Sequence, residues 1–395
     1  MLTLDEALGR LMAHALLVGS ERVGLTDAAG RVLADSRIVA AVDVPPFANS
    51  AMDGFALRAA DAPGVLRLAG EVAAGVASVS AVEPGSAVRI MTGAPLPPGA
   101  DAVVPLEDAG ESDGTVAVAN PVSAGAFVRA AAHDTHAGEE VVIAGALSPA
   151  KLAVLASLGL GGVEVRRRPV VAVLSTGDEL VAPGRPLGPG QIHDANGVAL
   201  AAAVTEAGGE PLAMPRVPDD PTAIQRSLDG TSADLIVTSG GVSVGGHDHV
   251  RTVLESHGEL DFWRVAVQPG KPLAVGGLGG TTVIGLPGNP VSALVTFELF
   301  VRPFIRAMLG LMGDGRPRVR ATVDERMPKD RGRRAFLRVV VHSSDGGYLA
   351  RPAGGQQSSQ LRPMADANAL LVVPEGEDAA EPRGSYEAIV LEPLS

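Results

Sequence analysis

The chain has 395 residues, 46% hydrophobic and 19% charged, with a net charge of −13 and no cysteine. That balance fits a soluble globular protein of about two to four domains. It excludes disulfides, a thiolate nucleophile, iron–sulfur clusters and Cys-ligated zinc, and it argues against broad nucleic-acid or anionic-membrane binding.

In chain order, MLTLDEALGRLMAHALLVGS places Asp5 and Glu6 where a signal peptide would be positive. It reads as an amphipathic helix of a cytoplasmic protein, and no apolar run approaches the roughly 20 residues of a membrane span. From Asp43 to Val142 short apolar runs such as VLRLAG, AVRIM and DAVVPL lie among Pro and Gly, the pattern of a small β-domain. The helix PAKLAVLASLG, Pro149 to Gly159, is expected to pack with residues 1–30 as part of a discontinuous helical region. Next come the strand PVVAVLS, the helix DANGVALAAAVTEAGG, the strand PLAMPRV and the helix PTAIQRSLDG. ADLIVTS, HVRTVLESHG, FWRVAVQ, TTVIGL and the long apolar helix VSALVTFELFVRPFIRAML continue the alternation. This spacing predicts a three-layer α/β domain with a mostly parallel sheet. Beyond Gly310 five short runs, from RVRATV to YEAIVLE, predict a C-terminal β-domain or barrel. The divisions are 1–42 with 136–167 (helical), 43–135 (β), 168–312 (α/β) and 313–395 (β).

In open α/β sheets ligands bind beyond the carboxyl ends of the strands. The segments there are STGDE, PDD, SGGVSVGGHD, QPGKP and LPGNP, and each carries glycine, hydroxyl, carboxylate or lysine. SGGVSVGG lacks the lysine of a P-loop and the spacing of a dinucleotide fingerprint. Its small residues still let backbone N–H groups approach an anion, with a following helix aiming its positive end there. Asp178, Glu179, Asp219, Asp220 and Asp248 would repel a phosphate unless a divalent cation neutralised them, and oxygen ligands favour Mg²⁺. Asp219 and Asp220 can equally cap the helix that begins at Pro221. Lys271, one of only three lysines, sits on a stiff turn suited to an oxyanion. His193, His247 and His249 have no zinc-ligand spacing. Asn49, Ser50 and Asp53 form a polar turn in PPFANSAMDGFAL, for which a plain strand connection is the alternative.

Together PPFANSAMDGFAL, RIMTGAPLPPGADAVVPLED, LSTGDELV, DANG, TSGGVSVGGHD, QPGKP, GLPGNPVSALVTFELFVRP, GRRAFLRV and SSQLRPMADANALLVVP resemble the MoeA family of molybdopterin molybdenumtransferases, which includes the E-domain of gephyrin. The matches run in order from about Asp43 to about Pro374. The resemblance implies that adenylylated molybdopterin and molybdate react, with Mg²⁺, to release AMP and leave molybdenum on the dithiolene. It implies an elongated homodimer of four-domain subunits whose site is shared, Asp53 serving the partner's α/β domain. It assigns Asp53, Glu179, Asp219, Asp248 and Lys271 to catalysis, and Glu179, Asp219 and Asp248 to the metal. Molybdopterin and its nucleotide would meet Thr176, Asp178, Asp194, Asn196, Ser239, Gly240, Gly241, Ser243, Gly245, Pro287, Gly288 and Asn289. Ser243, Lys271, Arg338, Ser358 and Ser359 would meet molybdate. Molybdopterin adenylyltransferase and recipient molybdoenzymes are further expected partners.

The chain departs from the family pattern in four places. Gln268 stands where many members have lysine, Arg264 replaces a lysine, DSN becomes Asp194-Ala195-Asn196, and GED becomes Ala132-His133-Asp134. The rival readings are a molybdopterin adenylyltransferase and a non-catalytic scaffold of the same fold. GGVS in place of GGTG and the flanking domains argue against the first. Retention of the five catalytic positions argues against the second.

Overall fold

The computed structural model describes every residue except 74, 76–80, 215, 216, 218, 219, 241–251, 254–258, 345 and 395, and gives the backbone alone at 229, 259, 260 and 262. The chain forms two compact units, Arg22–Val165 and Met1–Glu21 with Arg166–Ser395.

Arg22–Val165 is built on the expected β-structure. Strands β1 (Gly54–Leu57), β2 (Gly64–Val72), β3 (Ser86–Ile90), β4 (Ala102–Pro105), β5 (Ala109–Ser112) and β6 (Thr115–Val118) order as β4-β1-β3-β2-β6-β5. Only β2 and β3 run parallel. Alternation along β1 sends Phe55 and Leu57 into one apolar cluster with Leu66, Val104 and Val116. Ala56 joins Val72, Val88, Ile90 and Val103 in another, so the strand is buried throughout. A Cβ on Gly54 would strike the Val104 carbonyl, so the close approach of β1 to β4 requires glycine.

The helix Pro149–Ser157 starts on a proline behind the Ser148 cap, as proline at the first turn allows. Its Leu155 packs among Ala28, Leu33, Ile143 and Val163. The N-terminal helix goes elsewhere. Leu4–Met12 is opened by a Thr3/Glu6 capping box and buries Leu4, Ala7 and Leu11. The Leu2 N–H donates to the Arg264 carbonyl, and the Val18 N–H to that of Met308. Both ends of the segment are thus tied to the Arg166–Ser395 portion, and its apolar stripe packs on Arg302–Met308. Of residues 1–30, expected to pack with the helix Pro149–Ser157, Val23, Leu25 and Ala28 lie in its apolar cluster.

The α/β sheet contains β7 (Val170–Ser175), β8 (Glu210–Ala213), β9 (Leu235–Ser239), β10 (Glu259–Arg264), β11 (Pro272–Leu278) and β12 (Thr281–Leu286), ordered β8-β7-β9-β12-β11-β10. The first four are parallel, and the last two join antiparallel. Two departures from the sequence reading lie here. FWRVAVQ is not one strand: the Val265 N–H turns to the Lys271 carbonyl, and Val267–Gln268 pairs with Arg334–Ala335. PLAVGGL, unassigned from sequence, forms β11. Because β11 runs antiparallel to β12, Lys271 at its start lies at the same edge as the carboxyl ends of β7, β9 and β12.

Ala172, Leu174, Ile236 and Val283 bury Ile224 and Leu228 of the helix Pro221–Asp229. The helix Ala195–Ala207 packs on β7, β8 and the long C-terminal helix. That long helix is interrupted: between Pro290–Thr296 and Arg302–Met308 the residues Phe297–Val301 form a π-turn, with the Arg302 N–H donating to the Phe297 carbonyl. Pro303 cannot donate to an α-helical carbonyl, and its ring crowds the preceding turn, so the wider turn absorbs it.

The C-terminal strands β13 (Arg318–Val323), β14 (Arg334–Ser344), β15 (Gly347–Pro352), β16 (Ala369–Val373) and β17 (Ser385–Val390) close as β14-β15-β13-β17-β16-β14. Closure removes the free edges of this small barrel, whose interior holds Leu337, Val339, Val341, Ala350, Leu371 and Ala388.

Candidate functional site

Thr176, Asp178, Glu179, Ser239, Gly240, Pro287, Gly288 and Asn289 follow the carboxyl ends of β7, β9 and β12, and Lys271 joins them through the turn into β11. The loop after β7 turns at Gly177, at φ +148°, with the Glu179 carboxylate folded back beside it. Asp178 and Glu179 are both exposed. Asp194 accepts the Gly197 N–H at 2.8 Å and so caps the helix Ala195–Ala207.

One residue inside that helix start ties the two glycine loops together. The Asn196 Nδ2 donates to Ser239 Oγ at 2.6 Å and to the Gly288 carbonyl at 2.8 Å. Gly240, at φ +90°, donates its N–H to Leu286, and a Cβ on Gly288 would lie 3.7 Å from Gly240 Cα. The backbones at Gly240 and Gly288 therefore lie close together at this edge. Ser175 Oγ and Thr238 Oγ1 are buried there without a partner among the described residues, although a buried hydroxyl is ordinarily bonded. Beside the edge a pocket of about 680 Å³ is lined by Ser175, Val181, Arg185, Asp194, Gly197 and Met214, with further apolar neighbours.

The barrel contributes a second loop. The Val291 N–H donates to the Ser358 carbonyl at 3.3 Å, bringing Ser358 and the exposed Ser359 to the start of the helix Pro290–Thr296. Arg338, fully buried, holds that loop from within. Its guanidinium donates to the Gly355 and Gln357 carbonyls, and its backbone exchanges two bonds with the Gln356 amide. Burial pushes the Arg338 pKa down to about 10, and its Nε has no partner among the described residues.

Lys271 is exposed and unpaired among the described residues. The turn before it is fixed, because a Cβ on Gly270 would strike the Thr296 methyl group. Asp220 caps the helix Pro221–Asp229 by accepting the Ala223 N–H at 2.8 Å, so the capping role falls on this member of the Asp219/Asp220 pair. Asp219, Gly241, Ser243, Gly245 and Asp248 lie outside the described residues, as do His247 and His249. Among the described residues no group of three His, Asp or Glu side chains is gathered as a metal site.

In Arg22–Val165 the Asp53 carboxylate accepts the Thr92 N–H at 2.6 Å and the Thr92 hydroxyl at 2.8 Å. Those bonds, the backbone one foremost, lower its pKa below the usual carboxylate range. Ser50 binds the next turn through the Gly93 N–H and, with its own N–H, the Ala94 carbonyl. NSAMDG and MTGAP are thus one preformed surface. Thr92 was overlooked as a functional residue in the sequence, although MTGAP was itself part of the resemblance. Asn196 was placed there, but its bridging role depends on loops 43 and 92 residues away.

Residues 2–159 match the MoeA N-terminal region, domains I and II. Residues 172–307 match a probable molybdopterin binding domain, and 320–382 the MoeA C-terminal region, domain IV. The molybdopterin molybdenumtransferase 2 of Mycobacterium tuberculosis is 41% identical over 370 residues, covering 89% of this chain and 90% of the relative. The molybdopterin molybdenumtransferase of Haemophilus influenzae is 37% identical, covering 100% and 99%. A crystal structure of the molybdopterin biosynthesis MoeA protein from Pyrococcus horikoshii superposes with a TM-score of 0.84 at 28% identity, covering 99% and 100%. Matched along its whole length in sequence and in fold, the chain belongs to the MoeA family of molybdopterin molybdenumtransferases.

Proposed function

We propose that this chain inserts molybdenum into molybdopterin, taking the adenylylated form and molybdate and releasing AMP. The observation that carries the reading is the Asn196 bridge, which joins Ser239 at the end of β9 to Gly288 just after β12. Such a pairing of glycine loops suits a pyrophosphate, whose oxygens need N–H donors close by and tolerate no intruding Cβ. The neighbouring pocket, apolar along one side and edged by Asp194 and Arg185, suits a flat heterocycle with polar margins.

Lys271 supplies a point charge to the incoming oxyanion. Ser358 and Ser359 supply hydroxyls from the barrel side, and Arg338 holds their loop in place. Glu179, Asp219 and Asp248 form an all-oxygen donor set that fits Mg²⁺. When bound, that ion neutralises phosphate charge as the phosphoanhydride breaks. Asp53, kept ionised by Thr92, completes the polar set. In the homodimer that belongs to this proposal, Asp53 serves the partner's site. No helix of the described residues is long and apolar enough to cross a membrane, and we place the reaction in the cytoplasm, between adenylyltransferase and molybdoenzyme.

The test is molybdate-dependent AMP release from adenylylated molybdopterin with and without Mg²⁺. Release should require both, collapse in Glu179→Ala, and return in part when Asp53→Ala and Lys271→Ala subunits are co-expressed. Tight ligand binding without release would favour a carrier or scaffold. AMP transfer from ATP would favour an adenylyltransferase.

A further inference from the structure

The turn before Lys271 is fastened to the barrel by a side chain that carries no charge. Gln268, half-buried, accepts the Asp330 N–H on its Oε1 at 3.0 Å. The Arg334 N–H donates to the Ala266 carbonyl at 2.8 Å, and Val267–Gln268 runs parallel to Arg334–Ala335. The segment Lys329–Arg334 is therefore gripped at both ends by the chain just ahead of Lys271. It is also fixed from inside. Lys329 is 8% exposed, and its Nζ donates to the Arg333 carbonyl at 2.6 Å and the Asp330 carbonyl at 3.2 Å. Gly332, at φ +83°, donates its N–H to the Glu375 carbonyl.

The four cations of this loop have different fates. Lys329 is consumed by the loop's own carbonyls. Arg333 pairs with Asp330, and Arg334 with Glu375 at 3.0 Å. Arg331 is exposed, one residue beyond the tied Asp330, and makes no ion pair or hydrogen bond among the described residues. Lys271, three residues beyond Gln268, is open in the same way. A tetrahedral dianion held by one ammonium keeps a full charge uncompensated, and a guanidinium offers the forked donors that oxyanions accept.

We propose that Gln268 is a positioning residue that fastens the loop Lys329–Arg334 beside the turn at Lys271, so that Arg331 and Lys271 together hold molybdate. This rests on the function proposed above. An amide is suited to the task because its oxygen accepts the Asp330 N–H, which neither a lysine nor an alanine can do. Gln268 thus acts on the anion through Arg331 and does not touch it.

The experiment is calorimetric titration of the full chain with sodium molybdate, using wild type, Gln268→Ala, Arg331→Ala, the double variant and Arg264→Ala. Each of the first two substitutions should weaken binding by about tenfold, the scale of one charge-assisted contact. The double variant should be no weaker than Arg331→Ala alone, because the first change acts through the second residue. Amide hydrogen exchange at Asp330 should quicken in Gln268→Ala and stay at the wild-type rate in Arg331→Ala, whose side chain is on the surface. Wild-type binding with unchanged variants overturns the proposal. So do additive losses, or a loss in Arg264→Ala in place of Arg331→Ala. Failure of the wild-type chain to bind molybdate overturns the reading of the function itself, and this inference with it.

Discussion

Two polar regions of the Arg166–Ser395 portion have opposite character. At the carboxyl edge of the sheet Lys271, Asp178 and Glu179 are exposed, and the hydroxyls of Ser175 and Thr238 are buried without a described partner. At the junction of the long helix with the start of the barrel the charges are interlocked. Arg316, its side chain 9% exposed, donates to both Glu298 oxygens at 2.8 and 2.9 Å and to both Glu206 oxygens at 2.7 and 3.0 Å. Arg302 lies 3.8 Å from Glu298 and 3.7 Å from Glu206, and its Nε donates to the Asp314 carbonyl. Burial works against the charge on both arginines. For Arg316 the bonds to Glu298 and Glu206 outweigh it and raise the pKa, whereas Arg302 stays below its ordinary value. Charge at the junction is paired inside the chain, although Arg302 Nη1 makes no hydrogen bond among the described residues, and it serves the fold. At the edge Lys271 is left without a partner among the described residues, as a ligand site requires.

The largest effect should come from breaking the satisfied side. Glu298→Ala leaves Arg302 and Arg316 buried beside a Glu206 that is itself half-exposed, and removing one member of a buried pair costs about 3–5 kcal/mol. Denaturant unfolding should show that loss. Molybdate affinity in the remaining folded protein should be unchanged, since the junction faces no ligand. An equal loss of affinity and stability would erase the distinction between the two regions.

The edge was more legible in the sequence than the junction. Strands alternating with helices, and polar residues after each strand, place the ligand edge without any contact being known. Of the five loops read this way, STGDE and LPGNP lie at that edge and Lys271 of QPGKP joins them, while Asp219 and most of SGGVSVGGHD lie outside the described residues. The junction could not be read so, because Glu206, Glu298 and Arg316 are separated by 92 and 18 residues and each is unremarkable in its own helix or linker. The reversal at Gln268–Lys271 was missed for a local reason. FWRVAVQ is rich in aromatic and β-branched residues, as a strand is, and nothing in it marks the turn of Val265 to Lys271. PLAVGGL was passed over because its two glycines weaken the strand pattern. The packing of the N-terminal helix on Arg302–Met308 was not legible, because an amphipathic stripe states that it is buried, never against what.

On the open side, Lys271→Ala should lower molybdate-dependent kcat/KM by about 10²–10³, the range for removing one donor to an oxyanion. Because the ammonium has no described partner, thermal stability should stay at the wild-type value. This is the inverse of Glu298→Ala, and steady-state kinetics paired with a melting curve checks it. A stability loss without a kinetic one would make Lys271 part of the fold.

The smallest effect is expected where a functional carboxylate is partly satisfied. Asp53 is fully exposed, yet the Thr92 N–H and hydroxyl both donate to it and hold its pKa below the ordinary range. A depressed carboxylate stabilises the fold above its unfolded pKa, and that contribution is lost as pH falls through the folded value. Thr92→Val removes the hydroxyl and keeps the backbone bond, which is the larger cause. The Asp53 pKa should therefore rise only part of the way to the ordinary carboxylate range, as a carbon-detected NMR titration of the side chain would show. At neutral pH the carboxylate remains ionised in the variant, so activity there should change little, while the acid limb of the rate profile moves to higher pH. A complete return to the ordinary range would mean that the hydroxyl, not the backbone of MTGAP, prepares Asp53. An acid limb that stays in place would separate Asp53 ionisation from turnover and put the rate-controlling carboxylate at the α/β edge.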